Sequence, residues 1–559
     1  MKALLIPSAV LVPHDMRNKF GELPTALFPL GNKTMIERIY DQYKNIVDKI
    51  YVVVFKKKLL IKDYIALKKL PIEVIELDEL KDLGYTIQYG LENILTKEPL
   101  VDYIYINFAD SLIDESLLNN GSDIFYYTSQ MRPKEWSYFP DEWTYFKEKN
   151  GQILNILDKG NNLNTVSQND FKDIFVGVFG ISKPFEFIKS FSFSNELINN
   201  IDTFYQALLS YSNKISFISI ETKEWFDVGH SENYSKATTS VAARSFNSIE
   251  IDERRGILHK KSENKEKLVD EIRWYLRLPN KVQYLLPRIY DYSLDLNEPY
   301  VSMEYYGYHT LHESLVYGDL PLVKWQDIFD KLLFAIKDME NFKVNGDLGR
   351  LCNDLRAIYL NKTFQRLDLI KKDKEFQIFF EKPIIINGEV YRSLNEYINL
   401  LPSLIERLLI DTFDGQFNII HGDLCFANIL IEDTYDFIRV IDPRGKFGTY
   451  DIYGDPRYEL AKLMHTLEGK YDFIIEDLFA IRVSNNSIDY DINKTCDNVL
   501  NVFLDVFADK LSNLNAIRLI ESTLFLSMIP LHSDYRTRQF AMLATGIKLL
   551  EQVIKDSER

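Results

Sequence analysis

Between residue 1 and about residue 240, short apolar runs alternate with stretches in which apolar residues recur every three to four positions. Leu4-Leu5-Ile6, YVVVF at 51–55, IEVIEL at 72–77 and YIYINF at 103–108 have the first character and predict strands. MIERIYDQYKNIV at 35–47 and YTIQYGLENIL at 85–95 have the second and predict helices between them. That alternation implies an α/β domain with a mainly parallel, Rossmann-like sheet covered by helices on both faces, whose ligands gather at the carboxyl ends of the strands. The Ser-, Thr- and Ala-rich stretch SKATTSVAARSFNS, 235–248, reads as a passage out of this domain. From residue 249 a short β-like region runs to about residue 305 and gives way to long amphipathic helices. They are interrupted by two apolar runs, 429–431 and 437–441, that read as a hairpin.

A chain of 559 residues is too long for one hydrophobic core, which stops growing near ~250–300 residues, so two or three domains are expected. Acidic residues number 82 against 66 basic ones, and the formal charge of -16 repels phosphate backbones and anionic membrane surfaces, so no nucleic-acid partner is expected. It permits a cationic small-molecule substrate without requiring one. Cys352, Cys425 and Cys496 lie far apart, with neither metal-ligand spacing nor a disulfide framework, which fits a reducing cytoplasm. The amino terminus, MKALLIPSAVLVPHDMR, imitates a signal peptide, but Pro7 breaks its apolar run and no small-x-small site follows, so it reads as the first strand. No uninterrupted apolar stretch approaches the length of a membrane span.

The chemistry concentrates in NIIHGDLCFANILIEDTYDFIRVIDPRG, 418–445. Phosphoryl transfer from ATP to a hydroxyl needs a carboxylate to orient and deprotonate the acceptor, and oxygen ligands to hold Mg2+ against the phosphates. Asp423 suits the first task. Asn428 and Asp442 suit the second, because the hairpin would bring them together and Mg2+ prefers hard oxygens. HGDLCFANIL followed by VIDPRG resembles the catalytic loop and metal-binding segment of the aminoglycoside phosphotransferase and choline kinase group, small-molecule kinases with a protein-kinase-like fold. The resemblance implies a catalytic base at Asp423, magnesium ligands at Asn428 and Asp442, and support of the loop by His421 and Asp455, the latter in YGDPRYELAKLMH at 453–465. Upstream, GILHKKSENKEKLVDEIRWYLRLP resembles the strand that bears the phosphate-positioning Lys and the helix that bears its Glu partner. Lys261 and Glu271 are the chosen pair, with Lys260 the alternative. MEYYGYHTL at 303–311 sits where the group's hinge backbone receives adenine, which points to Met303, Glu304 and Tyr305. Two features depart from the group: Glu459 stands where Asp is usual, and Gly256 alone replaces a Gly-rich phosphate loop.

The opening KALLIPSAVLVPHDMRNKFGELPTALFPLGNKTMIERI resembles that of sugar-nucleotide nucleotidyltransferases, whose Gly-rich loop precedes a Pro-Lys-x-Leu segment. YINFADSLID and EWFDVGHSENYSKA resemble two further segments of that family, which implies metal ligands at Asp110 and Asp227. VGVFGI at 176–181 falls where the family places a strand beside the sugar. Ser8-Ala9-Val10-Leu11 replaces the glycines and Thr25 the lysine; Arg17 or Lys19, in the same loop, are the candidate substitutes. The aromatic-rich EWSYFPDEWTYF, 135–146, reads as packing strands, with a cation-π cage the functional alternative. His14 and His230 read as polar loop residues.

The expected organisation is a nucleotidyltransferase-like domain, 1–240, a linker, 241–248, and an α+β kinase-like domain, 249–559, with an N-lobe to about 310 and a C-lobe beyond. The expected function is ATP- and Mg2+-dependent phosphorylation of a sugar, polyol or amino alcohol, coupled to activation by a nucleotide, in capsule or lipopolysaccharide precursor synthesis. A first domain that only binds a nucleotide or nucleotide sugar, or a pseudokinase scaffold, is the alternative.

Overall fold

The amino-terminal apolar run forms strand β1, Lys2–Ser8, in which Leu4, Leu5 and Ile6 are fully buried. A strand apolar on both faces belongs in the middle of a covered sheet. In this computed structural model β1 lies between β2, Lys49–Val54, and the strand Tyr103–Asn107, parallel to both. With β3, Ile72–Glu76, parallel to β2, and β4, Tyr103–Asn107, these form the parallel half of a sheet that has nine strands among the described residues. The other half is mixed. It contains β6, Ile124–Ser129, β7, Tyr145–Lys149, β8, Gln152–Leu157, β9, Asp173–Ile181, and β10, Ile218–Glu221. The order is β8-β7-β9-β4-β1-β2-β3, with β6 on β9 and β10 on β6, and β9 runs antiparallel to β4. A separate ribbon pairs β5, Ser111–Ile113, with β11, Trp225–Asp227. The expected helices appear as α1, Met35–Tyr43, started by a Thr34–Glu37 capping box, and α2, Leu83–Lys97, whose first turn is capped by Asp82.

The chain divides into two compact units, Met1–Ser245 and Phe246–Arg559. All residues are described except 15, 115, 118–119, 130–142, 160–172, 193–200, 231–232, 235–236, 238–248, 253, 493–495 and 559. All of the expected linker, 241–248, and most of the aromatic segment 135–146 thus lie outside the described residues.

The second unit opens with a four-stranded antiparallel sheet: β12, Ile249–Asp252, β13, Ile257–Lys260, β14, Ile289–Ser293, and β15, Tyr300–Glu304, in the order β12-β13-β15-β14. Helix α3, Lys265–Arg277, capped by Asn264, buries Leu268, Glu271, Ile272, Trp274 and Tyr275. A helical layer follows, including α4, Lys362–Lys371, α5, Pro456–Leu467, α6, Leu514–Met528, and α7, Arg536–Ser557. Among the described residues, the stretch Leu514–His532 has the length and composition of a membrane span, yet 67% of it is buried within the unit, where α6 packs against α4, α5 and α7 as a core helix. Within this layer, β16, Gln416–Ile419, leads into the His-Gly-Asp turn. The expected hairpin forms from β17, Ile429–Ile431, and β18, Ile438–Val440, with Ile429 opposite Val440.

Candidate functional site

In the second unit, strand alternation decides which lysine turns inward. Lys260 shares the face of β13 that carries Leu258, and its Nζ donates to both oxygens of Glu271, at 2.8 and 2.9 Å, and to Asp442 Oδ1 at 2.7 Å. Lys261 points the other way, where its exposed ammonium lies 3.5 Å from Glu298. The lysine that meets Glu271 is therefore Lys260, and the expectation of Lys261 is corrected. Burial pushes Glu271 up to about 7 against the pull of Lys260. Burial likewise opposes the charge on Lys260, but Asp442 and Glu271 more than offset it and hold the ammonium protonated. Asp442 has a left-handed backbone, φ +56°, and its N–H donates to the buried Tyr275 hydroxyl at 3.1 Å. Gly445 lies against α3 so closely that a Cβ there would meet the Asp270 carbonyl carbon at 2.3 Å.

The His-Gly-Asp turn is held by several bonds. The carboxylate of Glu459, on α5, accepts the backbone N–H of His421 at 3.0 Å and of Gly422 at 2.8 Å. Trp274 Nε1 donates to the Ile420 carbonyl at 2.7 Å. Burial lowers the His421 pKa to about 4, so the ring is neutral and its Nε2 donates to the Ile441 carbonyl at 2.9 Å. Asp455, expected to support this loop, instead caps α5 through the Arg457 N–H, binds the Arg457 guanidinium and accepts the Tyr359 hydroxyl at 2.9 Å. The supporting carboxylate is Glu459, one turn further along the same helix. Its longer side chain spans the gap to both N–H groups, and burial raises its pKa to about 7.

Asp423 projects from this turn and meets Lys462, also on α5, with Nζ 2.8 Å from Oδ1. Burial works against the Asp423 charge, but the Lys462 ammonium more than compensates and holds its pKa at about 2. Sequence reasoning missed Lys462: it stands in an apolar stretch whose helical period gives no sign that the side chain reaches the turn. Asn428 donates its amide to the Asp423 carbonyl at 2.9 Å, and its own carbonyl accepts the Ile441 N–H at 3.0 Å, so it sits beside Asp442 as the hairpin predicted. At the end of β15, the N–H groups of Glu304 and of the following Tyr305 donate to the carbonyls of Arg288 and Gly256, both at 2.8 Å. Both N–H groups are therefore already paired within the sheet.

In the first unit, a cavity of about 320 Å³ opens beyond the carboxyl ends of β1 and β4, lined by Ala9, Thr25, Asp110, Lys159, Asp227 and His230 among others. Asp110 stands in the turn between β4 and β5, while Asp227 ends β11. The carboxylates converge on Gly229, where a Cβ would meet Asp110 Oδ2 at 3.0 Å and Asp227 Oδ1 at 3.1 Å. Burial and the neighbouring Asp227 raise the Asp110 pKa. Burial opposes the Asp227 charge, but His230 leads a set of donors that lowers its pKa. Those donors are His230 Nδ1 at 2.6 Å, the Gly229 N–H at 2.9 Å and Asn233 at 3.0 Å; Trp143 Nε1 also donates to Asp227, at 3.3 Å. His230 is thus part of the carboxylate site, which reading it as a polar loop residue did not foresee. Arg17 donates to the Val12 carbonyl at 3.1 Å and faces Glu22 at 3.5 Å, and the buried Lys19 ammonium lies 5.2 Å from the centre of the Tyr234 ring. Neither lines the cavity; Lys159 does.

No protein-family model matches the sequence, and no curated protein matches it. Among solved structures, HddC from Yersinia pseudotuberculosis is similar over 43% of this chain and 100% of its own, at 16% identity and a TM-score of 0.31. CTP:phosphocholine cytidylyltransferase from Streptococcus pneumoniae is similar over 43% and 99%, at 14% identity and 0.32. The GDP complex of an aminoglycoside 2′-phosphotransferase is similar over 58% of this chain and 98% of its own, at 16% identity and 0.34. By its own strands and helices, the chain is a Rossmann-like mixed α/β unit followed by an α+β unit. What each unit does has to come from its side chains.

Proposed function

We propose that the second unit transfers the γ-phosphoryl group of ATP to a hydroxyl of a small molecule. The observation that carries this reading is the convergence of Lys260, Glu271 and Asp442 in one hydrogen-bonded group, with Asn428 beside Asp442 and Asp423 on a rigidly held turn. The Asn428 amide oxygen and the Asp442 carboxylate are hard donors suited to Mg2+, which when bound would neutralise phosphate charge. Lys260, positioned by Glu271, holds the phosphates. The backbone of Met303–Tyr305 borders the base. Asp423 orients the acceptor hydroxyl and takes its proton. The test is Mg2+-dependent ADP release by the full-length chain with a panel of sugars, polyols and amino alcohols, compared with D442N, which should be inactive.

For the first unit we propose binding of a nucleotide or nucleotide sugar in the cavity bordered by Asp110 and Lys159. Asp110 supplies the main oxygen for a divalent cation. Asp227, whose oxygens are taken up by His230, Asn233, Trp143 and Gly229, meets that cation mainly as a charge. Turnover there would couple phosphorylation to nucleotide activation in the cytoplasm, as synthesis of capsule or lipopolysaccharide precursors requires. Thr25 in the cavity wall, with Arg17 engaged in its own loop, favours a second reading in which this unit binds without turnover. Pyrophosphate release from nucleoside triphosphates and sugar phosphates separates the two.

A further inference from the structure

The chain is acidic overall, yet cations gather around Asp423. Lys462 reaches it from α5. Arg444 lies along the His-Gly-Asp turn, where its side-chain carbons begin 3.0 Å from a Cβ placed on Gly422, and its guanidinium is 3.5 Å from the hydroxyl of Tyr458, one helical turn before Lys462. Tyr458 in turn stacks on Tyr359, ring centroids 6.3 Å apart, and the chain runs on from Tyr359 into α4, where the half-buried Lys362 and Arg366 stand at i and i+4 on one face. Among the described residues, Lys362, Arg366 and Arg444 form no ion pair with Asp or Glu; Lys462 does, with Asp423. Their crowding registers on Lys362, whose pKa falls to about 8 through burial first and then through Arg444, Lys462 and Arg366. Partly buried like charges are costly unless an anion joins them. None of these residues belongs to the strand or helix that supplies Lys260 and Glu271.

We infer that the acceptor is itself an anion, a hydroxyl compound carrying a phosphate or carboxylate group, which Lys362, Arg366 and Arg444 hold while Lys462 spans it and Asp423. This rests on the phosphotransferase reading and narrows its substrate class. The acceptor hydroxyl oxygen forms a bond to the γ-phosphorus of ATP as the bond from that phosphorus to the β,γ-bridging oxygen breaks. ADP leaves with the electron pair, and the hydroxyl proton passes to Asp423 and then to water.

The test compares matched acceptors with the full-length chain: glycerol with glycerol 3-phosphate, glucose with glucose 6-phosphate, and glycerol with glycerate. The anionic member of a productive pair should have a kcat/KM at least about tenfold higher. R366E and K362A should raise its KM roughly ten- to a hundredfold while leaving the KM for ATP within about threefold. Preferred turnover of neutral or amino acceptors overturns the inference and leaves the phosphotransferase reading intact. If no acceptor is turned over, that reading fails and binding decides the inference separately, by calorimetric titration with glycerol 3-phosphate and glucose 6-phosphate. Binding by the unaltered chain that R366E abolishes supports the anion site; no binding, or equal binding by both, overturns it.

Discussion

Lys462 Nζ stands 2.8 Å from Asp423 Oδ1, so the carboxylate expected to act as base is already ion-paired. Asp423 acts only when ionised, and its rate contribution is lost as pH falls through its pKa, which Lys462 holds at about 2. In K462M we expect the acidic limb of the kcat/KM profile to rise toward the ordinary carboxylate value of ~3.9 or above it, since burial then acts unopposed. K462R should keep the limb low. A profile unchanged in K462M would mean that the pair does not govern Asp423.

The assignment of Lys260 over Lys261 separates sharply in mutants. K260A should weaken ATP use by more than about tenfold, with E271A similar and the double variant little worse than either, because the residues act as one unit. K261A removes only an exposed pair with Glu298, a kind worth about 0–1 kcal/mol, and should change nucleotide use by less than about twofold. Steady-state kinetics in ATP checks both.

Glu459 links the turn to pH. Its folded-state pKa of about 7 lies above the usual value, so its contribution to stability is complete below the ordinary carboxylate range and is lost as pH rises through about 7. E459Q has no such titration. Between about pH 5 and about pH 8, thermal melting of the unaltered chain should therefore decline relative to E459Q, by an amount on the order of a few kcal/mol. E459Q also leaves one of two backbone N–H groups without a carboxylate acceptor, a loss of about 1–3 kcal/mol, and phosphoryl transfer should fall with it.

Asp110 should respond in opposite directions to metal and to chelator. Burial and Asp227 make its charge unfavourable, so D110N should melt at a higher temperature than the unaltered chain in EDTA. Adding Mn2+ with a nucleotide should stabilise the unaltered chain and leave D110N unmoved, as measured by thermal shift. A Mn2+ response that survives in D110N would remove this carboxylate from the cation site.

Much of this architecture was legible because it follows from period. The buried run Leu4–Ile6, the capped helix from Met35 and the hairpin placing Asn428 beside Asp442 all come from alternation, spacing and turn chemistry. The choice between Lys260 and Lys261 was open to the same reasoning, since parity from Leu258 puts Lys260 inward and Lys261 with the exposed His259. Lys462 and the Glu459 bonds were not, because both depend on how α5 packs against the turn, a contact between residues some forty positions apart. Asp455 misled for a related reason: an Asp before Pro456 is an N-cap by local rules, and here local capping claims the side chain.

The central claim is phosphoryl transfer at Asp423, and 31P NMR of the full-length chain with ATP, Mg2+ and the acceptor panel tests it most directly. We expect a new phosphate-ester resonance growing in step with ADP, slowed by a factor on the order of 10²–10⁴ in D423N with nucleotide binding retained. ATP left intact with every acceptor, ADP accompanied only by orthophosphate, or an ester that forms at the same rate in D423N would contradict it.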